Sequence, residues 1–171
     1  PFDLILQKFD HASHCLTDYN SSFEGVDNLH IERKETIDLI QWINSPLRKD
    51  EQPVVLLVGG AGSGKTVILK DVFLNLKDIN VPAIALKADR LYAESITDLQ
   101  NKIDLEDSFE KVVRTLSKVS ERVVVLIDQI DALSQSLSTK REYLDAYNLL
   151  VRKLIAIDRV RVVISVRAYD L

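Results

Sequence analysis

The start of the chain contains two stretches in which apolar residues recur at helical spacing. In the first stretch these residues are Phe2, Ile5, Leu6, Phe9 and Leu16. The second covers 34–44 and ends before Pro46, because the residue preceding a proline is pushed out of the helical conformation. Residues 18–28 between them are rich in Asn, Ser, Asp and Gly, which favour turns. We therefore expect 1–29 to form an N-terminal helix and a linker, and 30–171 to form the main domain.

From residue 53 onward the pattern alternates between strands and helices. Continuous apolar runs of strand length lie at 54–58, 83–88, 122–128 and 160–166, and helical patterns cover 65–76, 108–119 and 139–157. Thr139 and Glu142 form a capping box for the last helix, and Asp107 and Glu110 are candidate caps for the middle one. Strands that are apolar on both faces and alternate with helices predict an α/β fold. In that fold helices cover both faces of a parallel sheet.

The composition is that of one soluble globular domain. The chain has 171 residues, of which 46% are hydrophobic and 28% charged, enough for one sizeable core. Its apolar runs are far shorter than a bilayer requires, so no membrane partner is expected. A net charge of −4 argues against a broad nucleic-acid surface, and direct nucleic-acid binding by this segment is not expected. The single Cys15 allows no internal disulfide and the start shows no secretion signal, which indicates a cytoplasmic location.

Other features suggest that the sequence belongs to a longer polypeptide. It contains no Met, and a strand-like run ends only a few residues before Leu171. We expect the domain to be incomplete at its C-terminal end, cut after the fourth strand. Its partners would then include other domains of the same polypeptide.

A glycine-rich segment between the first strand and the next helix carries the strongest chemical signal. GGAGSGKT, from Gly59 to Thr66, satisfies the P-loop pattern G-x-x-x-x-G-K-[ST] in the strand–loop–helix context which that motif demands. Glycines let backbone N–H groups curl around phosphates, and the helix N-terminus adds a partial positive charge. Lys65 would reach the β- and γ-phosphates, and Thr66 would bind Mg²⁺. The predicted nucleotide-binding residues of this segment are Gly59, Gly60, Ala61, Gly62, Ser63, Gly64, Lys65, Thr66 and Val67.

The third strand ends in an aspartate. Open α/β sheets gather their ligands at the carboxyl ends of their strands, and VVVLID delivers Asp128 to that edge. Asp128 matches a Walker B residue that would hold Mg²⁺ together with Thr66. The alternative is that Asp128 only caps the following segment, as Asp often does at turns.

The residue after Asp128 bears on catalysis. Many ATPases with this motif have a glutamate there to activate water, whereas this chain has Gln129, which orients a water but cannot accept its proton. Asp131 is the nearest other carboxylate and is a candidate catalytic or water-positioning group, the alternative being a surface aspartate in a loop. We therefore predict slow hydrolysis, with a turnover not well above about 10 per second.

The fourth strand ends in polar residues. Ser165 and Arg167 lie at its carboxyl end, beside the P-loop strand, where Arg167 is placed to sense a γ-phosphate. The alternative is an arginine in a solvated loop, since most arginines are exposed.

In combination, HIERKETIDLIQWI, GGAGSGKT, LIDQIDAL and VISVRAYD resemble the nucleotide-binding domain of STAND ATPases, the signalling class that includes the NACHT and apoptotic ATPases. The resemblance implies a P-loop NTPase three-layer sandwich of the additional-strand type, with strand order 5-1-4-3-2. It implies that Arg167 contacts the γ-phosphate and that a motif ahead of the P-loop holds the adenine end. That motif corresponds to His30, Ile31, Arg33 and Glu35, with Glu32 where glycine is usual.

The resemblance also implies a function for the whole protein. ATP or ADP with Mg²⁺ would control a switch in which winged-helix and sensor-repeat regions, an effector domain and a homo-oligomer take part, commonly in defence or signalling. Two other classes remain open. One is an AAA+-like ATPase acting on nucleic acid or protein, although its Asp-Glu pair is replaced by Asp128-Gln129. The other is a small-molecule or nucleotide kinase. An ABC transporter fits poorly, because LSQSL at 133–137 follows the acidic strand instead of preceding it.

Overall fold

A computed structural model describes residues 2–18, 33–135 and 141–168. Its helices are α1 (Phe2–Thr17), α2 (Lys34–Asn44), α3 (Lys65–Asp78), α4 (Ile96–Lys102), α5 (Phe109–Val119), α6 (Ala132–Gln135) and α7 (Arg141–Ile155). Its strands are β1 (Val54–Gly59), β2 (Ala83–Lys87), β3 (Val123–Asp128) and β4 (Val160–Arg167). No helix among these residues has the length and apolar character that crossing a membrane requires.

The four strands form one parallel sheet in the order β1-β4-β3-β2. This confirms the predicted parallel sheet, and it is the order that the resemblance implied for strands 1 to 4. Because β4 lies between β1 and β3, the carboxyl ends of these three strands meet at one edge. Gly59 pairs with Arg167 across β1 and β4.

Each face of the sheet has its own core. On one face, buried residues of α5 and α7, such as Phe109 and Tyr147, pack against inward-facing residues of β3 and β4. On the other face, buried residues of α2 and α3, such as Leu39 and Leu69, form a second core. The predicted three layers, with helices on both faces, are therefore confirmed.

Helix α1 packs against β2, the strand at the end of the sheet order. Its Phe9 belongs to the first core and its Leu16 to the second. The buried hydroxyl of Ser13 accepts a hydrogen bond from the backbone N–H of Ala85 at 2.8 Å and donates one to the Phe9 carbonyl at 2.7 Å. The helix thus supplies a partner for an N–H group on a strand edge, where ladder partners are lacking.

Two helix starts differ from expectation. In α5 the N-terminal cap is Ser108, whose hydroxyl accepts from the N–H of Lys111 at 3.2 Å. Asp107 and Glu110 do not cap the helix as predicted, because they pair with Lys111 and Arg114 one turn further on. Helix α4, which was not predicted, is capped in the same way by Ser95. The predicted capping box at Thr139 lies outside the described residues.

Candidate nucleotide-binding site

The loop from β1 to α3 has the shape that a phosphate group needs. Gly62 and Gly64 have φ angles of 72° and 84°, in the left-handed region that residues with a Cβ rarely adopt. Gly64 is the N-cap of α3, so the loop runs directly into a helix N-terminus. A turn of this kind directs successive backbone N–H groups toward a common centre and forms an anion-binding concavity.

Arg33, the residue before α2, lies against this loop. Its Nη1 donates to the carbonyl oxygen of Ser63 at 3.2 Å. A Cβ added at Gly64 would lie 2.6 Å from the same nitrogen, so a larger residue there would require the Arg33 side chain to move. The resemblance assigned Arg33 to the adenine end of a nucleotide, and the structure shows it in contact with the phosphate loop itself. Ile31, assigned with it, lies outside the described residues.

The side chain of Lys65 folds into the loop. Its Nζ donates to the carbonyl oxygens of Gly59 at 2.6 Å and Gly60 at 2.8 Å, and to the Ser63 hydroxyl at 3.2 Å. Only 8% of the residue is exposed. The loop therefore presents an ammonium group beside the helix N-terminus, a combination that suits a phosphate anion.

Asp128 joins the phosphate loop to the middle of the sheet. It is 1% exposed, its Oδ2 accepts from the Thr66 hydroxyl at 2.8 Å, and its Oδ1 accepts from the Ser165 hydroxyl at 2.5 Å. The structure thus brings together the two residues predicted to hold Mg²⁺, from α3 and β3. Ser165 also accepts from the backbone N–H of Gln129 at 2.9 Å, so one hydroxyl contacts two consecutive residues.

A buried lysine that sequence reasoning missed completes the surroundings of Asp128. Lys87 is the last residue of β2 and the register partner of Asp128. Its Nζ lies 3.2 Å from Asp128 Oδ2 and 3.3 Å from Asp89 Oδ1. The one sequence signal was a lysine at the end of the otherwise apolar run AIALK.

The residues predicted to act on water lie together beyond Asp128. Arg167 donates from Nη2 to the side-chain oxygen of Gln129 at 3.0 Å, and its Nε lies 3.7 Å from Asp131 Oδ2. Gln129 has a φ angle of 57°, a strained value for a residue with a Cβ. The side chain of Asp131 is only 10% exposed, so it faces inward and not out from a surface loop.

These residues fit a magnesium nucleotide chemically. Thr66 and Asp128 offer hard oxygen donors 2.8 Å apart, the ligand type that Mg²⁺ prefers. The glycine loop and Lys65 offer N–H donors for phosphate oxygens. Thr66 follows Lys65 in sequence, so the metal and phosphate donors are adjacent.

Comparison with known proteins gives a family and a fold. Residues 55–168 match the sequence family described as ATPase family associated with various cellular activities (AAA). The chain is also 30% identical over 105 residues to the replication factor C large subunits of Methanococcus maripaludis and Methanococcus vannielii. These matches cover 61% of this chain but only 19% of each relative. The chain therefore spans about a fifth of the length of the curated relatives it matches.

Solved structures share the fold at low sequence identity. AMPPCP-bound DnaA from Aquifex aeolicus superimposes with a TM-score of 0.51 and 18% identity, over 79% of this chain and 38% of that one. The Walker-type ATPase of Pyrococcus abyssi does so with a TM-score of 0.54 and 17% identity, over 88% of this chain and 48% of that one. At this identity the likeness shows the α/β P-loop NTPase fold alone.

Proposed function

The chain belongs to the AAA family of ATPases, and from that premise we propose that it binds Mg²⁺ with ATP at the carboxyl edge of β1, β4 and β3 and hydrolyses the ATP. The observation that carries the proposal is the hydrogen bond from Thr66, directly after the P-loop lysine, to the buried carboxylate of Asp128. It joins the phosphate loop to an acidic strand end, as a magnesium nucleotide site requires.

Each residue of the site has a distinct role in this proposal. The loop amides and Lys65 bind and orient the phosphates, and Thr66 and Asp128 hold the metal. Bound Mg²⁺ neutralises charge on the phosphate oxygens. Arg167, bonded to Gln129, lies beside the P-loop strand, where its guanidinium stabilises negative charge that develops on the γ-phosphate.

Hydrolysis needs a proton acceptor for the attacking water. Gln129 orients this water through its side-chain amide, and Asp131, on the other side of Arg167, is the carboxylate that accepts the proton. Because Gln129 itself cannot accept the proton, we propose slow turnover. Slow turnover suits a domain whose nucleotide state signals to other parts of a protein.

The relatives favour one class of whole protein. Replication factor C is named for replication, which supports an AAA+-type ATPase whose nucleotide state controls work on a nucleic acid or a protein. This chain has a net charge of −4, so other parts of the protein would supply most of the contacts to a nucleic acid.

A STAND-type signalling switch is the second candidate. Its support is that Arg33, which belongs to the motif ahead of the P-loop, lies against the candidate nucleotide-binding loop and donates to the Ser63 carbonyl, although the resemblance assigns that motif to the adenine end. In such a switch, exchange of ADP for ATP would drive assembly of a homo-oligomer, and an effector domain would act.

Nucleotide binding and hydrolysis test the proposal directly. Binding of a fluorescent ATP analogue and release of phosphate are measured for the wild-type chain and for Lys65→Ala and Asp128→Asn. Lys118→Ala and Asp107→Asn, which change exposed residues on or beside α5, serve as matched controls. We expect Lys65→Ala to lose binding, Asp128→Asn to lose its dependence on Mg²⁺, and both controls to behave as the wild type does. Undiminished binding by Lys65→Ala would contradict the proposal.

The candidate classes of whole protein can be distinguished by measuring which molecule or assembly step accompanies ATP hydrolysis. Stimulation of phosphate release by DNA or by a protein client indicates the AAA+ type. Assembly that depends on ATP and needs neither indicates the signalling switch. Transfer of phosphate to a small acceptor would instead indicate a kinase.

A further inference from the structure

Lys87 is an ammonium group placed directly on a metal-binding carboxylate. It is 6% exposed, and its Nζ lies 3.2 Å from Asp128 Oδ2, the same oxygen that accepts from Thr66 at 2.8 Å. Burying a lysine costs free energy unless the ammonium is paired and hydrogen-bonded. The sheet register places the two residues side by side, because Lys87 and Asp128 are Cα partners at the ends of β2 and β3.

A second carboxylate lies at the same distance from the ammonium. Asp89 Oδ1 is 3.3 Å from Lys87 Nζ, and the Asp89 side chain is 23% exposed. The turn that follows β2 fixes its position, since the N–H groups of Arg90 and Leu91 both donate to the Lys87 carbonyl, at 2.9 and 3.0 Å. The hydroxyl of buried Tyr147 donates to the Leu91 carbonyl at 2.8 Å and holds the far side of that turn.

The charges of this group change when a divalent cation binds. One ammonium between two carboxylates leaves a net charge of −1, which a metal at Asp128 and Thr66 reverses. An ammonium and Mg²⁺ on one carboxylate repel each other strongly in a buried site, where charges are poorly screened. Asp89 gives Lys87 another partner within reach, so the ammonium need not become unpaired.

We infer that Lys87 is a built-in counter-cation of Asp128, which Mg²⁺ displaces toward Asp89 when the magnesium nucleotide binds. This inference rests on the proposed function. Lys87 stabilises the metal-free site and opposes metal entry, whereas Asp89 favours metal entry by accepting the displaced ammonium. Lys87 and Asp89 are thus positioning residues that set the Mg²⁺ requirement.

The two residues therefore have opposite effects on metal binding. Lys87→Met removes the ammonium and leaves Asp128 available to the metal. The Mg²⁺ concentration for half-maximal nucleotide binding should then fall about tenfold, which is the effect typical of one charge-assisted hydrogen bond. With Asp89→Asn, Lys87 loses its second carboxylate partner among the described residues, and that concentration should rise by a factor of roughly three to ten. In the Lys87→Met background, Asp89→Asn should have little effect, since its partner is gone.

The experiment titrates Mg²⁺ into wild type, Lys87→Met, Asp89→Asn and the double variant, with a fluorescent ADP analogue as the probe. Melting temperatures in EDTA without nucleotide provide a second readout, in which Lys87→Met should be lowered because Asp128 loses its counter-charge. Lys102→Met, which removes a lysine from an exposed pair with Asp98, is the matched control. Should Lys87→Met fail to fold, the rise expected for Asp89→Asn still tests the inference.

Opposite shifts in the two single variants, with little effect of Asp89→Asn in the double variant, support the displacement. An unchanged or raised Mg²⁺ requirement in Lys87→Met would overturn it, and so would an equal effect of Asp89→Asn in both backgrounds. Mg²⁺-dependent binding with unshifted variants would refute this inference alone. Absence of nucleotide binding in the wild-type chain would refute the proposed function with it.

Discussion

The guanidinium of Arg33 lies only 2.6 Å from the point that a Cβ at position 64 would occupy. Gly64 also has a φ angle of 84°, which disfavours any residue with a Cβ, and a side chain there would have to displace the Arg33 guanidinium. The phosphate loop and the residue before α2 are therefore closely packed.

Gly64→Ala should weaken nucleotide binding tenfold or more, because the left-handed backbone costs about 1–2 kcal/mol for an L-residue and the methyl group displaces Arg33. Lys118→Ala, which changes an exposed residue of α5, is the control. Titration of a fluorescent nucleotide compares the two variants. Equal losses in both would contradict the prediction, and a partial recovery in Gly64→Ala with Arg33→Ala would separate the steric cost from the backbone cost.

Gln129→Glu should raise the rate of ATP hydrolysis by about tenfold or more, because it places a proton acceptor directly after Asp128. The new carboxylate would keep the contact with Arg167 that Gln129 now makes at 3.0 Å. Asp131→Asn should lower the rate in the present chain and matter less once Glu is at 129. Single-turnover phosphate release measures both effects, and an unchanged rate in Gln129→Glu would show that proton acceptance does not limit turnover.

The unfolding free energy should depend on pH through Glu51. The backbone N–H of Arg48 and then the indole N–H of Trp42 bind its carboxylate and hold its pKa below the ordinary value of 4.5. A lowered folded pKa contributes stability above pH 4.5, and this contribution is lost as the pH falls through the folded value. Urea unfolding of Glu51→Gln should therefore show a shallower loss of stability below pH 4.5 than the wild type does. Exposed Glu121→Gln is the control, and a parallel loss in Glu51→Gln would contradict the prediction.

Ser13→Ala should destabilise the domain by about 1–3 kcal/mol, because the N–H of Ala85 would lose its acceptor in a buried position. Hydrogen exchange at Ala85 should accelerate, which locates the effect at the sheet edge. Thr17→Ala provides the control on the same helix, since its exposed hydroxyl donates to the His14 carbonyl one turn earlier. The prediction is wrong if both variants unfold at the same urea concentration.

The fold and the grouping of the candidate site residues were predictable because most of their signals are local. Apolar runs mark the strands. A glycine-rich segment with Lys65, placed between a strand and a helix, is typical of a phosphate-binding loop. Asp128 was predictable as well, since parallel strands bring their carboxyl ends to one edge.

The missed contacts depend on register and tertiary packing. Lys87 meets Asp128 only because β2 and β3 align those residues, and periodicity does not specify the alignment between strands. Predicting the hydrogen bond from the Ala85 N–H to the Ser13 hydroxyl would have required knowing that α1 packs against β2. Helix α4 has seven residues, too few for a clear helical pattern.

Ser165 links Asp128, the proposed metal ligand, to the residue that follows it. Its one hydroxyl, on β4, donates to the Asp128 carboxylate and accepts from the backbone N–H of Gln129. A movement of β4 relative to β3 would therefore disturb both contacts together.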